Sequence, residues 1–178
     1  MMFKRLFIIL LAVSFTCHGE NYVIALDIVQ QDNTIITTPQ LNFKTSTAIK
    51  EAIDNGIRIQ LIAKAQLFEP VPWWFDTTIG NQKINLEVSY FILGKLYVVK
   101  NKTTGKQLGF NDYEQLWQQF EKLIRFEFIA PKDDKAWIKL RIMLDKGGLP
   151  TAMQLPVLFN EHWDINTDWY YQQVKTDE

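Results

Sequence analysis

The chain is nearly devoid of cysteine: among its 178 residues only Cys17 occurs, within the first nineteen. The rest of the chain therefore has no disulfide, no thiol nucleophile and no thiolate metal site. Histidine is almost as rare, since only His18 and His162 are present. The acids Asp164 and Asp168 stand near His162, but one imidazole at this spacing matches no structural zinc pattern. We expect neither a metal nor a cofactor.

Signatures of well-known reactions are missing as well. No Gly-x-Ser-x-Gly elbow, Gly-rich phosphate loop or dinucleotide fingerprint occurs. The formal net charge is only −1 and no run of like charge stands out. Such a balance gives no overall attraction to nucleic acid, so we expect no nucleic-acid partner. A non-catalytic role is favoured over an enzymatic one.

The first nineteen residues carry the most specific pattern. Lys4 and Arg5 precede the apolar stretch Leu6–Val13, and the small residues Cys17 and Gly19 follow. This is the layout of a secretory signal peptide, and the apolar stretch is about half of what a membrane-spanning helix needs. We predict a signal peptide over residues 1–19 and one exported, strand-rich domain over residues 20–178, located in the periplasm.

Cys17 also allows a different interpretation, as the lipidation site of a membrane-anchored lipoprotein. Small residues should stand just before such a cysteine, whereas Phe15 and Thr16 precede it here. The cleaved signal peptide is therefore preferred. Membrane association is expected only if Cys17 is lipidated.

Alternation of apolar and polar residues predicts a chain made mainly of strands. The clearest alternation runs over Ile57–Phe68, and Pro39 marks an edge or a bulge in another strand. The predicted strands are Tyr22–Val29, Thr34–Phe43, Ile57–Phe68, Lys83–Lys100, Gln107–Phe110 and Trp137–Leu144, with further strand-like aromatic pieces in Gln154–Val174.

Two helices are predicted. The first covers Ser46–Asn55 and ends at Gly56, a residue suited to the left-handed conformation after a last helical turn. The second begins with Asn111 as its cap and has Glu114 three residues later, as in a capping box. The expected fold is α+β: a mostly antiparallel β-sheet or sandwich with the two helices packed at one side or end.

Aromatic side chains supply the candidate binding residues, which are Trp73, Trp74, Asp76, Trp163 and Trp169. Adjacent tryptophans suit a sugar, a peptide or a membrane interface. The bland interpretation is that one ring of the first pair packs in the core and that Asp76 ends a strand. Extending the alternation of Ile57–Phe68 predicts a buried Trp73 and an exposed Trp74.

An ordered set of short motifs resembles a known bacterial family. The motifs are Ala52–Ile57, Trp73–Asp76, Tyr90 with Tyr97–Val99, Arg141–Asp145, Leu149–Pro150, Trp163 and Trp169. In this order the chain resembles the family called domain of unknown function 4390. The resemblance implies an exported protein of Gram-negative bacteria with no assigned activity, encoded near membrane sensor kinases. Ala152 stands where such proteins often have a second proline.

The favoured function is a periplasmic module that binds a protein or a small ligand and is associated with the envelope or a membrane signalling protein. A carboxylate-dependent envelope hydrolase is the alternative, with candidate acids Asp27, Asp76, Glu87, Asp145 and Glu161. A lipid-binding carrier is a third possibility and would need an apolar cavity between sheet and helices.

Overall fold

A computed structural model of the chain describes residues 21–131 and 135–175. The predicted signal peptide lies outside these residues. The strands form two antiparallel sheets, one of three strands in the order β1-β2-β7 and one of six in the order β6-β5-β4-β3-β8-β9. The strands are β1 Tyr22–Gln31, β2 Thr34–Asn42, β3 Ile59–Glu69, β4 Thr77–Phe91, β5 Leu96–Asn101, β6 Gln107–Phe110, β7 Phe126–Ile129, β8 Trp137–Leu144 and β9 Tyr170–Gln173.

The two sheets share one hydrophobic core. Alternate residues of β3 and β8 point inward, and their side chains are fully buried in the same cluster as Ile35 and Phe126 of the smaller sheet. Leu61, paired with Leu86 on one side and Leu144 on the other, occupies the centre of the larger sheet. The expected α+β fold, a mostly antiparallel sheet or sandwich, is confirmed.

Within residues 21–131 and 135–175, three α-helices accompany the sheets, where two were expected. They are α1 Thr47–Asp54, α2 Tyr113–Gln119 and α3 Thr151–Leu158. In α1, the Ser46 hydroxyl accepts a hydrogen bond from the backbone N–H of Ile49, and Gly56 follows with φ +84°. The cap of α2 is Asp112, which accepts from Gln115, so the predicted cap Asn111 is wrong by one residue.

The third helix replaces part of the segment predicted as strand-like. Met153, Leu155, Val157 and Phe159 alternate with other residues, which imitates the period of a strand. The helix begins directly after Pro150, whose fixed φ suits the start of a helix. Only Val157 of α3 is buried, so the alternation does not correspond to one buried sheet face.

Two other local predictions need revision. The predicted strand Lys83–Lys100 is a hairpin, because the chain turns between β4 and β5 and Lys95 adopts φ +51° there.

Pro39 lies in β2, the middle strand of its sheet. However, β7 pairs only with Thr34–Thr37, so Pro39 has a strand partner on the β1 side alone, opposite Leu26.

Candidate binding surface

The tip of the β3–β4 hairpin carries three consecutive aromatic side chains in solvent. Trp73 is fully exposed, Trp74 is 78% exposed and Phe75 is 85% exposed. The Trp74 and Phe75 rings meet edge to face, with centroids 6.2 Å apart. Asp76 is exposed beside them, as is every residue from Pro70 to Asp76. This tip, residues 70–76, is called the aromatic tip.

The predicted burial of Trp73 is wrong. The β3–β4 ladder ends at Glu69, opposite Thr77, so the alternation of β3 has no pairing to sustain it in the tip. The backbone N–H of Trp74 donates to the Val71 carbonyl 3.2 Å away, which closes a tight turn. Trp73 takes φ +65° within this turn. As a result both indoles face solvent, and neither contributes to the core.

A second feature lies on the outer face of the six-stranded sheet, away from the core. Lys64 of β3 is paired directly with Lys83 of β4 and with Arg141 of β8. Lys139, two residues before Arg141, points to the same face because Ile138 and Leu140 are buried. These four side chains are called the basic row. None of them forms an ion pair with an acid among residues 21–131 and 135–175.

Aromatic rings flank the basic row. The guanidinium carbon of Arg141 lies 4.5 Å from the centroid of the Trp169 ring, and the Lys139 ammonium lies 5.4 Å from the same ring. Lys139 also lies 5.1 Å from the ring of Phe68, which in turn contacts Tyr171 edge to face. Cation–π contacts orient these side chains without neutralising their charge.

The register of the sheet places the basic row across the stem of the β3–β4 hairpin and the neighbouring strand β8, on the side of the hairpin that leads to the aromatic tip. Lys139 is opposite Gln66, three residues before Glu69, the last residue of β3 before the aromatic tip. At about 3.3 Å per residue this separation is about 10 Å, and Lys64 is about 16 Å from the same point. Between them, on the same face, lie Phe68 and its partner Trp137. The outer face therefore changes along the strands from cationic to aromatic.

The candidate residues taken from the sequence do not form one site. Trp73, Trp74 and Asp76 lie together in the aromatic tip, and Trp169 lies beside the basic row. Trp163 is only 5% exposed and packs in the core, so its ring is not presented to a ligand. The basic row was not predicted from the sequence. Lys64, Lys139 and Arg141 alternate visibly with apolar residues, but only the strand register shows that they are neighbours.

A separate groove of about 480 Å³ lies between the end of β2 and the helices α1 and α2. Beside it, the Lys50 ammonium lies 2.5 Å from the Asp54 carboxylate and 3.2 Å from the Tyr97 hydroxyl. Tyr97 also donates to Asp54 at 2.6 Å. Tyr113 shares a hydrogen bond of 2.6 Å with Thr45. The polar groups of the groove are thus largely bonded to one another.

The electrostatics of this groove do not favour acid–base catalysis. Partial burial opposes ionisation of Asp54, but hydrogen bonds from Lys50 and Tyr97 outweigh it and lower the pKa of Asp54, and the bond to Asp54 raises the pKa of Lys50. Burial raises the pKa of both Tyr97 and Tyr113. Each of these pKa values is therefore shifted away from neutral pH. A general acid or base works best with a pKa near the ambient pH.

The carboxyl group of Glu121 has a pKa that is raised from its usual value. Burial raises its pKa, and a hydrogen bond from the Leu41 backbone N–H, 2.7 Å away, opposes that effect. This carboxylate covers the side of β2 that β7 leaves unpaired. Glu121 is partly buried because its carboxylate accepts the hydrogen bond of a β2 backbone N–H group. Its role is therefore structural.

No metal centre is formed by the residues that the structure describes, since no three His, Cys, Asp or Glu side chains come together there. Within the same residues, no helix is long and apolar enough to cross a membrane.

Comparison with protein families gives a match over most of the chain. The family model described as "Domain of unknown function (DUF4390)" matches residues 22–173, which is most of the chain. Neither a curated protein nor a solved structure is similar enough to count as a match.

Proposed function

We propose a non-catalytic binding function for this chain, which belongs to the family defined by the domain of unknown function DUF4390. In this proposal the domain is exported to the periplasm, works at the cell envelope and makes contact through its aromatic tip. Its partner is a component of the envelope, and a membrane signalling protein is the protein partner we expect.

The exposure of the aromatic tip is the observation that carries this proposal. Single apolar side chains on a protein surface are ordinary and need no explanation. Here, however, Trp73, Trp74 and Phe75 are consecutive and at least 78% exposed, at the end of the longest hairpin. Tryptophan and phenylalanine supply large contact areas with few rotatable bonds, so they are favourable anchors in an interface.

The alternatives have less support. The hydrolase needs two acids within catalytic reach, but Asp27 is held by Gln40, and Glu87 is engaged by Lys102 and Arg58. The remaining candidates lie in three separate segments: Asp76 precedes β4, Asp145 follows β8, and Glu161 begins a short 3₁₀ helix after α3. The lipid carrier would use the groove beside α1 and α2, but charged and hydroxyl groups line much of it, including Lys44, Thr45, Ser46, Thr47, Lys50 and Glu114.

Crosslinking in intact envelopes tests the binding function. A photoreactive residue replaces Trp74 in one variant and Leu93 in the control, because Leu93 is 91% exposed at the opposite end of β4. Crosslinked proteins and lipids are then identified by mass spectrometry. We expect a reproducible adduct from position 74 and none from position 93. Equal labelling at both positions would contradict the proposal.

Localisation is tested separately by sequencing the N-terminus of the protein from a periplasmic extract. A chain that begins at or near Glu20 supports export with cleavage of the signal peptide. A diacylated Cys17 supports the lipoprotein alternative. Protein that retains Met1 in the cytosolic fraction would contradict export.

A further inference from the structure

We propose that the aromatic tip and the basic row together form a docking surface for a lipid bilayer that contains anionic phospholipids. This inference rests on the proposed function, because it names what the same aromatic tip contacts. It also provides a route to the membrane that does not require a lipidated Cys17.

The first argument is the nature of the exposed side chains. The tip presents two indoles, one phenyl ring and the half-exposed Val71 on a turn that projects beyond the strands. Indole rings combine an apolar body with one N–H donor, so they partition to the boundary between lipid headgroups and acyl chains. The tip itself contains one charge, Asp76, at the point where β4 begins.

The second argument is the charge behind the tip. Like charges directly opposite each other in a sheet destabilise it, yet Lys83, Lys64 and Arg141 stand side by side on three neighbouring strands. These three cations and Lys139 outnumber the two acids on either side of the exposed aromatic residues, Glu69 and Asp76. An anionic surface relieves this repulsion, so the charge pattern favours phosphate headgroups as the neighbours of the face.

The third argument is the spacing between the two features. Side chains that insert at a membrane surface reach about 5–10 Å below the headgroup boundary. Lys139 is about 10 Å from the start of the tip, and Lys64 and Arg141 are about 16 Å from it. With the tip inserted, Lys139 reaches the headgroups, and the others lie within a Debye length, about 8 Å at physiological salt, of that layer. Phe68 and Trp137 lie between them, on the same face.

Vesicle flotation with the purified protein tests this inference. The probes are vesicles of phosphatidylcholine alone and of phosphatidylcholine with phosphatidylglycerol, each at low and high salt. Mass spectrometry first verifies that the sample carries no acyl chain. We expect co-flotation with the anionic vesicles, weaker binding to the neutral vesicles and a loss of binding as salt rises. Failure to float with anionic vesicles would overturn the inference.

Two sets of variants assign the binding to the proposed surface. The tip variant Trp73→Ser/Trp74→Ser/Phe75→Ser should abolish flotation, while Ile92→Ser/Leu93→Ser, at the opposite end of β4, should leave it unchanged. Replacing Lys83 and Lys139 by Gln should weaken binding about 25-fold, from about 1 kcal/mol per cation near a charged surface. Lys95→Glu, near that opposite end, is the control for charge. A tip variant that floats like the wild type would overturn the inference.

The outcomes separate this inference from the proposed function. If position 74 crosslinks to a protein in the envelope while the purified protein ignores anionic vesicles, the binding function stands and the bilayer is not its partner. If neither crosslinks nor flotation depend on the tip, both proposals fail. Thermal melts verify that each variant is folded. We expect the tip variants to fold, because every substituted tip residue is exposed.

Discussion

The side-chain amide of Gln172 forms two hydrogen bonds with the backbone of Leu26. Its oxygen accepts from the Leu26 N–H at 3.1 Å, and its nitrogen donates to the Leu26 carbonyl at 2.8 Å. Gln172 lies in β9, at one edge of the six-stranded sheet, and Leu26 lies in β1, at the edge of the other sheet. Gln82 of β4 makes the same pair of bonds with Glu127 of β7. One glutamine thus joins each edge of the small sheet to the large one.

Replacing Gln172 by Ala should destabilise the fold by about 1–3 kcal/mol, because it leaves the N–H and C=O of the buried Leu26 without partners. Urea titration measures this change. The control is Gln31→Ala, in the same strand as Leu26 but exposed, where we expect a change within about 0.5 kcal/mol. Equal effects of the two substitutions would show that water replaces the glutamine amide without cost.

Leu61→Ala should destabilise by about 2–5 kcal/mol, since Leu61 is fully buried between Leu86 and Leu144 and its removal leaves a cavity. Gln60→Ala, on the outer face of the same strand, should change the free energy of unfolding by only about 0.5 kcal/mol. Denaturant titrations of both variants test the assignment of the two faces. A larger loss for Gln60→Ala would reverse that assignment.

The strand assignment that underlies this prediction was accessible from the sequence because β3 alternates without interruption. One face of a half-buried strand must be apolar, so the composition of the two faces indicates which side chains point into the core. The same reasoning failed at Trp73, four residues beyond Glu69 in the last pair of the ladder. Alternation depends on a paired, extended backbone. Pairing stops after Glu69, where Pro70 and Pro72 follow and Trp73 adopts a left-handed conformation.

The basic row shows a different limit. Its charges can be read from the sequence, but their proximity depends on the register of β3 with β4 and β8, and a shift of one residue turns a side chain to the other face. Likewise, the apolar alternation in α3 imitated a strand, although the segment starts after Pro150 and forms a helix. A local sequence pattern therefore says least about the register between distant strands and about the secondary structure of short apolar segments.

Trp73→Ala and Trp74→Ala should each change the free energy of unfolding by less than about 0.5 kcal/mol, because neither ring is buried. A buried Trp73 would have predicted a loss of about 3–5 kcal/mol. Thermal melts of the two single variants distinguish these cases, with Trp163→Ala as the buried reference. A large loss for Trp73→Ala alone would mean that its indole packs against the fold in solution.

Lys83→Glu should leave the fold as stable as the wild type or raise its stability by about 0.2–1 kcal/mol. The substitution removes one like-charge contact with Lys64 and places an opposite charge across the strands. The same variant should bind anionic vesicles less well. Chemical denaturation at low salt measures the first effect. A destabilised Lys83→Glu variant would indicate that the wild-type lysine makes a favourable contact in the free protein.

The cluster of Lys50, Asp54 and Tyr97 predicts a specific dependence of stability on pH. The pKa of Asp54 is lowered below 3.8, so its contribution is complete above that pH and is lost as the pH falls through the folded-state pKa. The pKa values of Lys50 and Tyr97 are raised above 10.5 and 10.0. Their contributions are complete below about pH 10 and are lost as the pH rises.

Asp54→Asn removes the anionic member of this cluster and should reduce stability most between pH 5 and 9 while flattening both flanks of the curve. Because Lys50 and Asp54 are each more than one third exposed, the effect is small and is best measured at low salt. The control is Asp168→Asn, at an exposed site outside the cluster. If Asp54→Asn retains the acid slope of the wild type, the loss of stability at low pH arises elsewhere in the fold.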